Sequence, residues 1–134
     1  MHRDSAILVI DDEPVTRASI ARSLGGAGFK IIQAATGEDG LWAIDQHQFS
    51  CVVAHFRLPD IDGQIFARKC HRIAPTLPLI MLSEAEDGAA AAQCLGEGAV
   101  ECLCKPFSSN KVLEVVSHAI EKSASRPRTA AARH

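Results

Sequence analysis

No apolar stretch in this chain reaches the roughly 18 residues that a membrane-spanning helix requires. The N-terminal residues, Met1-His2-Arg3-Asp4-Ser5, lead into a run too short for a signal peptide, and Asp11 and Asp12 close it. A cytoplasmic location is the expectation. The five cysteines (Cys51, Cys70, Cys94, Cys102, Cys104) include no CxxC pair and no zinc-type spacing. An odd number without an export signal points to reduced thiols serving as small packing residues, Cys102 and Cys104 sharing one face of a strand. The body of the chain has no basic stripe and the formal net charge is −2, which argues against nucleic-acid binding by this segment. No internal repeat is visible.

What is present is one domain's worth of sequence. At 134 residues, 47% hydrophobic and 22% charged, the chain can bury a single core and leaves little room for extensive disorder. Five short apolar runs alternate with helical patterns. Strands are expected at 6–10, 30–34, 51–55, 79–82 and 100–104. Helices are expected from Pro14 to about Leu24 with an apolar face of Val15, Ala18, Ala21 and Leu24; from a Thr36 cap through Ile44; over about 64–73; over the Ala-rich 87–95; and from Ser108 or Ser109 through Ile120. Trp42 is expected to flank the core. Alternation of this kind predicts an α/β fold: a five-stranded parallel sheet, doubly wound, in three α/β/α layers. Residues 1–122 form the domain. Residues 123–134, rich in Ala, Arg, Ser and Pro, read as a flexible tail or the start of a linker.

In an open α/β sheet, ligands bind outside the carboxyl ends of the strands. Those ends carry Asp11 and Asp12 after the first strand, His55 at the third, Ser83 at the fourth and Lys105 after the fifth. Two carboxylates, an imidazole, a hydroxyl and an ammonium are thus expected along one edge. The remaining histidines, His2, His47, His71, His118 and His134, have no partner spacing and are expected in solvent.

Three motifs carry a resemblance over roughly 6–122: Ile7-Leu8-Val9-Ile10-Asp11-Asp12-Glu13-Pro14; Arg57-Leu58-Pro59-Asp60-Ile61-Asp62-Gly63; and Gly98-Ala99 followed by Lys105-Pro106-Phe107. In this order and spacing the chain resembles the receiver domain of bacterial response regulators, the CheY-like branch of the flavodoxin-like fold. The resemblance implies that Asp11 and Asp12 match an acidic pair that holds Mg²⁺. It implies that Ser83 and Lys105 contact the phosphoryl group, and that the Lys105-Pro106 bond is often cis. It implies a histidine kinase or an output domain as partner, and a possible homodimer through the last two helices and the fifth strand. Two positions depart from the pattern. His55 falls on the phosphoacceptor aspartate, and Cys102 falls where an aromatic residue usually changes rotamer on activation.

Receiver phosphorylation is attack by a carboxylate oxygen on phosphorus with Mg²⁺ neutralising the phosphoryl oxygens. Imidazole places its nitrogens elsewhere and removes one anionic ligand from a metal that demands hard oxygens, so Mg²⁺ binding is expected to be weak or absent. The reading is therefore a pseudo-receiver of a two-component system, a protein–protein interaction module and not an enzyme. His55 is expected to be held by Asp11 or Asp12, an attraction of roughly 4 kcal/mol at about 4 Å before desolvation, with a pH-responsive pocket as one consequence. The alternatives are a working phosphoreceiver with another acceptor, Asp60 or Asp62, and a transition-metal site of Asp11, Asp12 and His55. A flavodoxin or a dehalogenase-type phosphatase fits poorly, because Asp11-Asp12-Glu13-Pro14 is neither a Ser/Thr/Gly phosphate loop nor DxD.

Overall fold

A computed structural model of the chain describes residues 5–124. Five strands, β1 (Ala6–Ile10), β2 (Lys30–Ala34), β3 (Cys51–His55), β4 (Leu79–Ser83) and β5 (Glu101–Cys104), form one sheet in the order β2-β1-β3-β4-β5. Every pairing is parallel, with Leu8 beside Ile32 and Val52, and Met81 beside Ala54 and Cys102. The central strands β1, β3 and β4 are apolar on both faces because both faces are covered. Ile7, Val9, Val53, Ile80 and Leu82 pack against α1 (Pro14–Gly26) and α5 (Ser109–Ala124) through Ile20, Leu24, Val112 and Val116. On the other side Leu8, Ile10, Val52, Ala54 and Met81 meet α2 (Gly37–Gln46) and α3 (Gly63–Ile73), with Ala43, Ile44, Phe66, Ala67 and Cys70 inward. The doubly wound three-layer expectation is what the chain adopts.

Local details depart from the sequence reading in five places. The Ala-rich segment is not one helix: α4 spans only Gly88–Ala92, between 3-10 turns at Ala85–Asp87 and Gln93–Glu97. Only Ala91 and Cys94 are buried there besides Asp87, so little apolar surface holds a longer helix against the sheet. Val15 is 76% exposed, because at about 100° per residue it lies roughly 140° round α1 from buried Ile20. Trp42 is 64% exposed while Gly40, Ala43 and Ile44 form the inner face of α2. Cys51, Cys70 and Cys94 are buried and their thiols pushed up by that burial, to about 12, 12 and 11, whereas Cys102 is half-buried and Cys104 is exposed. Cys104 is therefore not a packing residue. His47, His71 and His118 are exposed. The last helix runs to Ala124, two residues beyond the expected domain end at 122, and the remainder of the expected tail, with His2 and His134, lies outside the described residues.

Candidate functional site at the strand ends

The strand order reverses between β1 and β3, the point at which a doubly wound sheet opens a crevice. Asp11 follows β1 there and His55 ends β3 beside it. Asp11 is 3% exposed. Its Oδ1 accepts the Glu13 N–H at 3.0 Å, and its Oδ2 is buried without a partner among the described residues. Burial pushes its carboxyl above the ordinary value; the Glu13 N–H and nearby His55 and Lys105 oppose the rise, and Asp12 adds to it. Asp12 itself is exposed. Glu13 caps α1 by accepting from Thr16 N at 2.9 Å.

His55 is not held by Asp11 or Asp12. Its Nε2 lies 3.2 Å from Glu84 Oε2, and its Nδ1 lies 3.1 Å from the Arg57 carbonyl and 3.3 Å from the Arg57 N–H. The partner expected from β1 comes instead from the residue after β4, because the side chain at the carboxyl end of β3 leans toward that neighbouring strand. A neutral ring protonated only at Nδ1 would aim the Nε2 lone pair at a carboxylate. Nε2 therefore carries a hydrogen in either consistent arrangement: a neutral ring with Nδ1 accepting from Arg57, or an imidazolium donating at both nitrogens.

Glu84 is shared. The same Oε2 accepts from Lys105 Nζ at 2.8 Å. The Lys105 ammonium holds the Glu84 carboxyl below its ordinary value, with His55 contributing, and Glu84 in turn raises Lys105. Three residues further on, Asp87 takes the Arg57 guanidinium with both oxygens, at 2.5 Å from Nε and 2.8 Å from Nη2. That guanidinium holds Asp87 below the usual carboxylate range. Ser83 Oγ is fully buried and has no partner among the described residues. The Lys105-Pro106 bond is cis. Cys102 is half-buried on β5, beside Met81 and against the inner cluster.

Asp60 and Asp62, the other acceptor candidates, cap helices. Asp60 accepts from Gly37 N at 2.9 Å and Glu38 N at 2.8 Å, closing the start of α2 from a distant loop. Asp62 is the N-cap of α3, accepting from Gln64 N at 2.8 Å. Sequence reasoning thus brought Asp11, His55, Ser83 and Lys105 to one edge, and missed Glu84, Arg57 and Asp87. The signal for Glu84 was its position directly after a strand-end residue. Arg57 and Asp87 are joined only by the tertiary fold.

Mg²⁺ requires oxygen ligands in a near-octahedral array. Asp11 and Asp12 offer carboxylates, but position 55 offers a nitrogen bonded to Glu84, and Glu84 is tied to Lys105. Among the described residues no three metal-ligating side chains converge. The residues present do not fit Mg²⁺, nor the transition-metal set of Asp11, Asp12 and His55, since both ring nitrogens are engaged elsewhere.

Residues 7–117 match the family model for the response regulator receiver domain. The chain is similar to the positive alginate biosynthesis regulatory protein of Pseudomonas aeruginosa (35% identity, 90% of this chain, 47% of that one). It is also similar to the sensor histidine kinase RcsC of Escherichia coli (29%, 93% of this chain, 13% of that one). Among solved structures it resembles a CheY-like receiver domain from Methanospirillum hungatei (TM-score 0.84, 25% identity, 90% and 96% covered). NtrX from Brucella abortus gives a TM-score of 0.86 at 27% identity, with 92% of this chain and 28% of that one covered. The chain spans less than half the length of both curated relatives.

Proposed function

The chain belongs to the response regulator receiver family, and we propose that within it this module signals by binding a protein partner in a state that does not depend on phosphorylation. The observation that carries the reading is the engagement of both His55 ring nitrogens, Nε2 by Glu84 and Nδ1 by Arg57. Attack on phosphorus needs a lone pair directed at the incoming group. The Nε2 hydrogen occupies that direction on one side of the ring, and the Arg57 backbone occupies the other. Asp60 and Asp62 are committed to helix N-termini, where their release would leave backbone N–H groups without acceptors.

The partner is a histidine kinase or an output domain, and the surface is the one formed by α4, β5 and α5. Leu95, in the 3-10 turn after α4, and Val100, just before β5, are both about half exposed and adjoin those elements in sequence. The same face accommodates a second copy as a homodimer. Cys102 in place of an aromatic side chain leaves this surface without a large ring to reposition, so its shape stays constant. Mg²⁺ is not required. The module acts as a binding element and not as a catalyst, in the cytoplasm, without contact to nucleic acid or membrane; no helix among the described residues is long and apolar enough to cross a bilayer.

The test is incubation with a small phosphodonor and Mg²⁺ followed by intact mass. The wild type is expected to stay unmodified, and a stable adduct of one phosphoryl group overturns the reading.

A further inference from the structure

The geometry points to Glu84 as a built-in anion: its carboxylate fills the space between Lys105 and His55 and, with Asp87 on Arg57, clasps the 84–87 turn to the strand edge without phosphorylation or metal. This inference rests on the reading of the module as one that works unphosphorylated. Three basic side chains stand at that edge, His55, Arg57 and Lys105, and all three are taken by carboxylates from one turn. Glu84 Oε2 lies 2.8 Å from Lys105 Nζ and 3.2 Å from His55 Nε2, so one oxygen accepts from two donors. Asp87, 8% exposed, closes the other end of the turn with a two-oxygen grip on Arg57.

The turn is also where a clasp has most to hold. Its backbone has few bonds of its own, Asp87 N to Glu84 O at 3.0 Å being one, and it leads into α4, which is a single short helix. Lys105 lies directly after β5, and its N–H bonds to Ser83 O at 2.9 Å, so the same carboxylate spans the ends of β3, β4 and β5. The consequence is a fixed start to the α4 face. A covalent phosphoryl group would add charge where a carboxylate already sits.

Hydrogen exchange by mass spectrometry on the full chain tests this. Glu84→Ala is expected to raise exchange across 84–88 by about tenfold or more, as loss of charged hydrogen bonds opens the segment locally. The β1 and β3 amides are expected to stay as in wild type. Because the lost group is an anion, millimolar acetate is expected to slow exchange in Glu84→Ala toward the wild-type rate, while chloride at equal ionic strength is not. Glu84→Gln keeps an acceptor oxygen without the charge and is expected to fall between the two; it carries the test if the alanine variant fails to fold. Glu86→Gln, which removes the same charge from an exposed neighbour, is expected to change nothing. Unchanged exchange on removing Glu84, or faster exchange that acetate does not slow, overturns the clasp. Either result leaves the unreactivity of His55, read separately by mass, where it stands.

Discussion

Asp11→Asn is expected to stabilise the protein at neutral pH. Asp11 is 3% exposed, its Oδ1 is satisfied by the Glu13 N–H, and its Oδ2 is buried with no partner among the described residues. A buried group left unsatisfied costs about 1–3 kcal/mol, partly offset here by Lys105 and His55 nearby. Asparagine keeps the Oδ1 acceptor and removes the buried negative charge, so a gain of about 1–2 kcal/mol is expected. The effect depends on pH in a defined direction. Burial raises the Asp11 carboxyl in the folded state, so the protonated form is the one folding favours. Its contribution is full below the unfolded value and is lost as pH rises through the folded one. The advantage of Asn should therefore grow from acidic toward neutral pH and vanish where the carboxyl is protonated in both states. Urea unfolding at several pH values measures it, a gain of this size moving the neutral-pH midpoint by roughly 0.5–1 M. A less stable variant, or a gain that does not change with pH, refutes the assignment of Asp11 as an uncompensated buried charge.

Three further outcomes are expected. Glu84→Gln should lower stability at neutral pH by about 0.5–1 kcal/mol, a screened value for a side chain about one-third exposed. Since Lys105 holds the Glu84 carboxyl below 4.5, that difference is present above the ordinary carboxylate value and should close as pH falls through the folded one, as paired denaturation curves will show. Asp60→Ala should cost about 1 kcal/mol by removing the acceptor of the Gly37 and Glu38 N–H groups at the start of α2, whose N-cap Thr36 stays in place, visible as faster exchange at Gly37 and Glu38, with no change in any reaction toward phosphodonors. Gly63→Ala should destabilise by about 1–3 kcal/mol in thermal unfolding, because an added Cβ would lie 2.7 Å from the Phe56 carbonyl oxygen, backbone that cannot step aside.

The sheet was legible because β1, β3 and β4 are apolar runs that end in a polar residue (β3, β4) or run directly into one (β1). Position along the chain then sufficed to bring Asp11, His55, Ser83 and Lys105 to one edge. Their pairing was not legible. Whether His55 turns toward β1 or β4 is decided by side-chain geometry at the end of β3, and its side-chain partner is a residue with no signal beyond following Ser83. Asp60 reads as a loop carboxylate, and its role as a second acceptor at the start of α2, beside the N-cap Thr36, depends on a residue 23 positions further along folding back. The Ala-rich stretch has helix propensity throughout, yet lacks the large side chains that would anchor a long helix. Val15 and Trp42 show the converse limit, since an apolar residue in a helix is buried only if the face it occupies meets the sheet.

The central claim is most directly tested by ¹⁵N NMR of the His55 imidazole, recorded before and after addition of Mg²⁺ and a small phosphodonor. The account predicts a protonated Nε2 whose signal responds to removal of Glu84 and is unchanged by the donor. A phosphoryl–nitrogen bond at either ring nitrogen, or a ring indifferent to Glu84, would contradict it.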